Sequence, residues 1–163
     1  MDLIIELMSR AANLSFEVNQ LMPLVDSKSM NVSFIEGAER GMNHEDFDLD
    51  SEEMIELFKK RKAAFEINNR VVFLISSLID SEKVELASKV ADMADYYRDK
   101  STEMMISYEK LLNTITQPNF TFDGNEHYKK DIIDTKDNYA RYKSVALYFE
   151  NMVAYLKPYM RSK

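Results

Sequence analysis

Three residue patterns in this chain could carry chemistry, and each asks for a different structure. The first is the acidic run Glu45-Asp46-Phe47-Asp48-Leu49-Asp50-Ser51-Glu52-Glu53, where Asp46, Asp48 and Asp50 alternate as the first ligands of a calcium loop do. The rest of that loop is missing. Counted from Asp46, the sixth residue is Ser51, not the glycine the turn needs, and the twelfth is Leu57, not a bidentate glutamate. The run therefore reads as an acidic helix N-terminus, its carboxylates facing the positive end of the helix dipole.

The second pattern is carboxylates three residues apart, at Glu53/Glu56, Asp92/Asp95, Asp131/Asp134 and Asp134/Asp137. Such pairs lie on one helical face and can hold Mg²⁺ against a diphosphate. If the second and third helices form an antiparallel hairpin whose facing residue numbers sum to about 161, Asp92 and Asp95 lie opposite Asn69 and Glu66. The set Glu66, Asn69, Asp92 and Asp95 then resembles the paired acidic motifs of the all-α nucleotide pyrophosphohydrolases. The resemblance covers only the hairpin, with Ala63 and Asn69 where acids would complete the motif. It implies a Mg²⁺-dependent nucleotide hydrolase with Glu66, Asp92 and Asp95 as ligands. The competing expectation, and the stronger one with Arg70 nearby, is a salt-bridged network that holds no metal or cofactor. In the same register the basic run Lys59-Lys60-Arg61-Lys62 falls beside Asp99 and Glu103, an ion-paired helix face.

The third pattern is tyrosine. Tyr128, Tyr139, Tyr142, Tyr148, Tyr155 and Tyr159 fall within one stretch, and Tyr148, Tyr155 and Tyr159 form a line to one side of its main apolar stripe. Rings buried with wet hydroxyls suit either a broad core face or a binding surface. Other chemistry is excluded or faint. With no cysteine there are no disulfides, thiolate metal sites or cysteine nucleophiles. The two histidines, His44 and His127, lack the glutamate three residues earlier that a di-iron bundle requires, and the three glycines are too dispersed for a phosphate loop.

The elements that must position these residues are helices. Apolar residues recur in steps of three and four through four long stretches almost free of glycine and proline. The first reads Leu3, Leu7, Ala11, Leu14, Val18 to Met22, ending at Pro23. Residues 26–50 form an irregular segment, with a short helix from Ser33 to Gly41. The second helix, residues 51–79, carries two adjacent apolar rows, Met54, Phe58, Phe65, Val72, Ile75 and Ile79 beside Leu57, Ala64, Val71 and Leu78, so a broad buried face is expected. The third spans 82–116, with Ser101-Thr102 as an expected break. The fourth spans 126–157, preceded by a loop in which Phe120 and Phe122 staple the chain.

The expectation is one domain over residues 1–163: an all-α antiparallel bundle of four principal helices with a long hairpin of helices 2 and 3. The formal charge of −7 argues against a phosphate-tracking, nucleic-acid surface. The longest apolar run, Val71 to Ile79, is far short of the roughly 20 residues of a membrane span. An acidic start and the absence of a secretory leader favour the cytoplasm, in a bacterial style. The functional expectation is non-enzymatic protein binding, as in an immunity protein, chaperone or adaptor, with a basic protein as partner. Tyr148, Tyr155 and Tyr159 would be the apolar anchors, with Asp46, Asp48 and Asp50 steering. A homodimeric module of antiparallel coiled-coil type is the remaining alternative.

Overall fold

A computed structural model describes the backbone of residues 1–30 and 52–160, and the side chains of residues 1–22 and 52–159. The described residues form four helices, α1 (Asp2–Met30), α2 (Glu52–Ser76), α3 (Asp80–Ile115) and α4 (His127–Met160), with no strand among them. The expected all-α bundle is therefore present. The short helix expected from Ser33 to Gly41 lies outside the described residues.

Several boundaries differ from expectation for local reasons. α1 continues past Pro23 to Met30, since one missing backbone donor does not end a helix whose other bonds persist. α4 likewise contains Pro158. Ser101 and Thr102 do not break α3, because both hydroxyls donate to the Arg98 carbonyl (2.8 and 3.1 Å) and so are satisfied inside the helix. α2 stops at Ser76. The Ser76 hydroxyl donates to the Phe73 carbonyl at 2.6 Å, Ile79 is extended, and its N–H donates to Glu82 at 3.3 Å as α3 begins.

Helix pairing is the larger correction. The turn between α2 and α3 is short, yet backbones approach extensively between α3 and α4, less between α1 and α2 and between α1 and α4, and hardly at all between α2 and α3. Interhelical contacts give the registers. Tyr97 stacks on Phe149 (centroids 5.8 Å, planes 3° apart), Arg98 donates to Glu150 at 2.9 Å, and Lys83 sits 4.5 Å over the Tyr159 ring, so α3 and α4 run antiparallel. Lys60 reaches Glu17 at 2.9 Å and Arg61 reaches the Met22 sulfur at 3.3 Å, so α1 and α2 run antiparallel. Arg141 links α4 to α1, donating to Asn13 at 3.0 Å and lying 4.6 Å from the Phe16 ring.

Small residues explain the preference of α3 for α4. Ala87 and Ala94 are buried on α3 and Ala146 on α4, letting the backbones approach while Phe149, fully buried, fills the space between. One contiguous core joins all four helices through Ile4, Met8, Val71, Ile75, Leu86, Val90, Phe149 and Leu156. Its extent is limited. Among the described residues, none between Ala94 and Val145 is buried, so the distal part of the α3–α4 pair is a two-helix arm beyond the four-helix core. α3 is about 54 Å long at 1.5 Å per residue, far longer than the stretch that carries its buried positions. The arm closes through residues 116–126, where Phe120 packs edge-on against Phe122 (5.1 Å) and Tyr128 (5.3 Å), the staple expected of the two aromatics. Gly124, at φ +76°, supplies the left-handed turn residue there.

Two outcomes follow from a core confined to one end. Phe149→Ala is expected to cost about 3–5 kcal/mol in denaturant unfolding, whereas Ile133→Ala on the arm stays within about 0.5 kcal/mol. In native-state hydrogen exchange, amides of residues 86–94 and 145–156 should be the most protected, and those of 104–138 should open at clearly lower free energy.

Candidate functional site

The fate of the carboxylate cluster follows from the pairing of the helices. Because α2 runs along α1, and α3 along α4, the register that would face Glu66 with Asp92 and Asp95 does not form. Asp95 instead accepts from Arg98 at 2.9 Å, and the same guanidinium reaches Glu150 on α4 at 2.8 Å. The hydrogen bond Arg98 donates to Glu150, and the charge of that carboxylate, hold Arg98 above the usual arginine range. Glu66 and Asp92 are exposed. Among the described residues no three His, Asp or Glu side chains are grouped as a metal ion needs. The basic run is displaced in the same way: Lys60 pairs with Glu17 and Glu56, and the hydrogen bond to Glu17 raises its pKa, while Glu103 pairs with Lys100. Asp46, Asp48 and Asp50 lie outside the described residues.

Two clefts lie along the α3–α4 seam. One, of about 320 Å³, is lined by Met105, Tyr139 and Leu147 and edged by Arg98, Lys143 and Glu150. The other, of about 410 Å³, opens beside Tyr128, Lys110 and the pair Asp131 and Asp134. In the first, the arginine is already engaged by two carboxylates.

The tyrosine line divides. Tyr148 is partly buried against the core, edge-on to Phe149 at 5.6 Å, and its hydroxyl donates to the Asn68 side-chain carbonyl on α2 at 2.6 Å. Burial raises its pKa to about 12. Tyr155, about two helical turns further on, is exposed and packs 6.4 Å from Tyr159, whose ring carries Lys83. Tyr148 and Tyr155 share one feature, a groove of about 260 Å³ between α4 and α2, completed by Asn68, Val71, Val72, Asn151 and Met152.

Beside this groove lies a surface that the sequence reading assigns to the core. Of the two apolar rows on α2, Leu57 and Val71 are buried as expected. The neighbouring row is divided: Ile75 is fully buried, but Phe58 is 55% exposed, Phe65 67% and Val72 43%, and Phe73, about 80° around the helix from Phe65, is 69% exposed. The signal was the second row itself. A helix bordered by α1 and only sparsely by α3 has neighbours for one row, and the other is left bare. Val72 belongs to both row and groove, so the two form one continuous face. No helix among the described residues is long and apolar enough to cross a membrane, so this face is not part of a span. Its cations include Lys59, Arg61 and Lys62, all exposed on α2, with Arg61 also reaching the Met22 sulfur.

The Tyr148–Asn68 bond is testable by titration. The phenol is neutral in the fold with a pKa above its unfolded value of about 10, so its stabilising effect is complete below pH 10 and is lost as pH rises from about 10 toward 12. Ultraviolet difference titration should show a late tyrosine step, to which Tyr148 contributes beside Tyr97 and Tyr155, both also raised by burial. Tyr148→Phe should reduce that late step by one tyrosine and cost about 1 kcal/mol, the worth of one hydrogen bond.

No protein-family model matches the chain, and neither a curated protein nor a solved structure is significantly similar to it.

Proposed function

We infer that the protein is a non-enzymatic, protein-binding helical bundle of the immunity, chaperone or adaptor kind, and that it binds through the α2–α4 face. The observation that carries this reading is the uncovered row Phe58, Phe65 and Val72 running into the groove beside Tyr155. Leaving Phe58, Phe65 and the nearby Phe73 largely in water costs solubility without stabilising the core, and contiguous apolar surface on this scale usually marks a site of association. Aromatic anchors beside a preformed groove are also the residues that dominate binding energy when they become desolvated. The groove needs little rearrangement to receive a side chain, because the Tyr148–Asn68 bond and the ring of Phe149 fix its floor.

Charge adds a second support. The chain is acidic overall, but Lys59 and Lys62 flank the apolar row, so a partner segment carrying apolar residues with some acidic neighbours fits this face better than the basic partner expected from net charge. The acidic remainder keeps the molecule soluble and repels non-specific contacts.

The test is affinity capture of the tagged protein from the cells that make it, at low salt, alongside Phe73→Ser and Tyr155→Ala. Both substitutions are on exposed positions and should leave thermal unfolding within about 0.5 kcal/mol of the unsubstituted protein. Capture of a protein in stoichiometric amount by the unsubstituted chain, reduced about tenfold or more by either variant, supports the reading. Equal recovery with both variants would place binding elsewhere and overturn it.

A further inference from the structure

We propose that the occupant of this face is a second copy of the chain, paired antiparallel through α2 about a two-fold axis at Phe65, with Phe58 of each copy seated in the α2–α4 groove of the other. This rests on reading the face as a protein-binding surface, and it names what covers that surface.

Spacing is the first support. Phe58, Phe65 and Val72 recur every seven residues, and Ile79 just beyond α2 continues the row, also largely exposed. A seven-residue repeat returns to nearly the same side of a helix, drifting only about 20° each time, and makes the seam along which two helices supercoil. α2 already spends its other apolar row on its own bundle, so the repeat serves a helix from outside. A closed pair needs a face that complements itself under a two-fold rotation. Phe65 stands midway between Phe58 and Val72, seven residues from each. Rotation about Phe65 sets Phe65 against its copy and Phe58 of one chain against Val72 of the other.

Shape is the second support, because Val72 is a wall of the groove. Its volume of about 260 Å³ exceeds the roughly 150 Å³ that suffices to hold a benzene ring. The lining offers Val71, Val72, Met152 and the rings of Tyr148 and Tyr155 to an aromatic side chain. Two of its polar groups are already paired with each other, since Asn68 accepts from the Tyr148 hydroxyl, so a ring entering the groove leaves that pair intact.

Charge selects the direction of pairing. Lys62 and Glu66 sit on either side of Phe65 on the exposed face of α2. Antiparallel pairing at Phe65 brings Lys62 of each copy within reach of Glu66 of the other, twice over. Parallel pairing would instead set Arg61, four residues before Phe65 and exposed beside the row, against its own copy. Area is sufficient for a modest, reversible dimer. At about 200 Å² per phenylalanine, the exposed fractions of Phe58, Phe65 and Phe73 amount to on the order of 350 Å² per copy, before Val72, Ile79 and Tyr155 are added. Doubled across a two-fold, the total lies near the lower bound of about 1,200 Å² for specific interfaces.

The experiment is sedimentation velocity of the full chain over roughly 1–100 µM, with three variants and a cross-link. The expected result is a concentration-dependent monomer–dimer shift that Phe65→Glu weakens about 30-fold or more with helicity unchanged. Lys62→Glu and Glu66→Lys should each weaken the dimer, and the double variant should recover it. The chain has no cysteine, so Phe65→Cys supplies a single thiol that should oxidise to a linked dimer well ahead of Ile133→Cys on the distal arm. A monomer at every concentration overturns the proposal, as does a dimer indifferent to Phe65→Glu or a charge swap that fails to restore pairing. If the chain is monomeric but Phe65→Glu still abolishes capture of another protein, the face binds a different occupant and only the second copy is wrong. If Phe65→Glu instead unfolds a monomeric chain, the face is covered from within, and both readings fall.

Discussion

The antiparallel seam between α3 and α4 is the constraint on which the rest of this structure depends. Its centre is the parallel stack of Tyr97 on Phe149, with Ala87, Ala94 and Ala146 letting the two backbones close around it. Phe149 is fully buried and is the largest of the fully buried side chains, so any rival partner for α4 would have to fill the same space as well. Once α4 is committed to α3 on one side, what remains of its apolar arc meets α1 at Arg141 and α2 at Tyr148. α3 has then used its alanine row and has none left for α2. The sparse contact between α2 and α3 is thus a consequence of the seam, although the two helices are joined by the shortest connection in the described chain.

This hierarchy explains how much could be read beforehand. Periodicity identified four helices and an all-α bundle, because a three-and-four spacing is a property of single segments and needs no knowledge of neighbours. Residues 116–126 were also legible, since Phe120, Gly124 and Asn125 are local signals whose effect lies within their own loop. Pairing was not legible. A short linker suggests which helices adjoin but not which apolar surfaces match, and the match here was decided by small residues on α3 and α4. The carboxylate cluster failed with the register that placed it. Glu66, Asp92 and Asp95 are in ordinary positions on two helices that do not lie together.

The α2 face was half legible, and the missing half is instructive. The sequence displays two rows of large apolar residues on one helix, and either row would satisfy a bundle. Val71 and Ile75 won the interior because branched aliphatics on that side join Ile4 and Met8 in the common core, and Leu57 is buried nearer the other end of α2. Phe58 and Phe65 were left outside by exclusion and not by polarity. Tyr148 and Tyr155 were singled out for their position off the main stripe, and they do face α2. The groove they line also needs Val72 and Asn68, which no reading of α4 alone could supply.

The division of charge follows the same logic and bears on what can approach the molecule. Acidic side chains crowd α3, where Asp95 pairs with Arg98 and Glu103 with Lys100, so part of that helix's charge is spent in local pairs. Exposed pairs of this kind add little to stability, but they leave α3 a poor docking surface for anything apolar. On α2 the balance reverses. Lys60 is turned toward Glu17 and away from the row of phenylalanines, while Lys59, Arg61, Lys62 and Glu66 lie near Phe58 and Phe65. A protein with a net charge of −7 resists self-association through most of its surface, and the resistance falls where cations and apolar side chains share a face. Long-range repulsion of this kind is screened within about 8 Å at physiological salt, so it slows encounters without opposing a contact once made. The apolar row thus sits on a helix surface where cations ease close approach, and the geometry of Phe65 between its two neighbours decides the direction in which that approach can close.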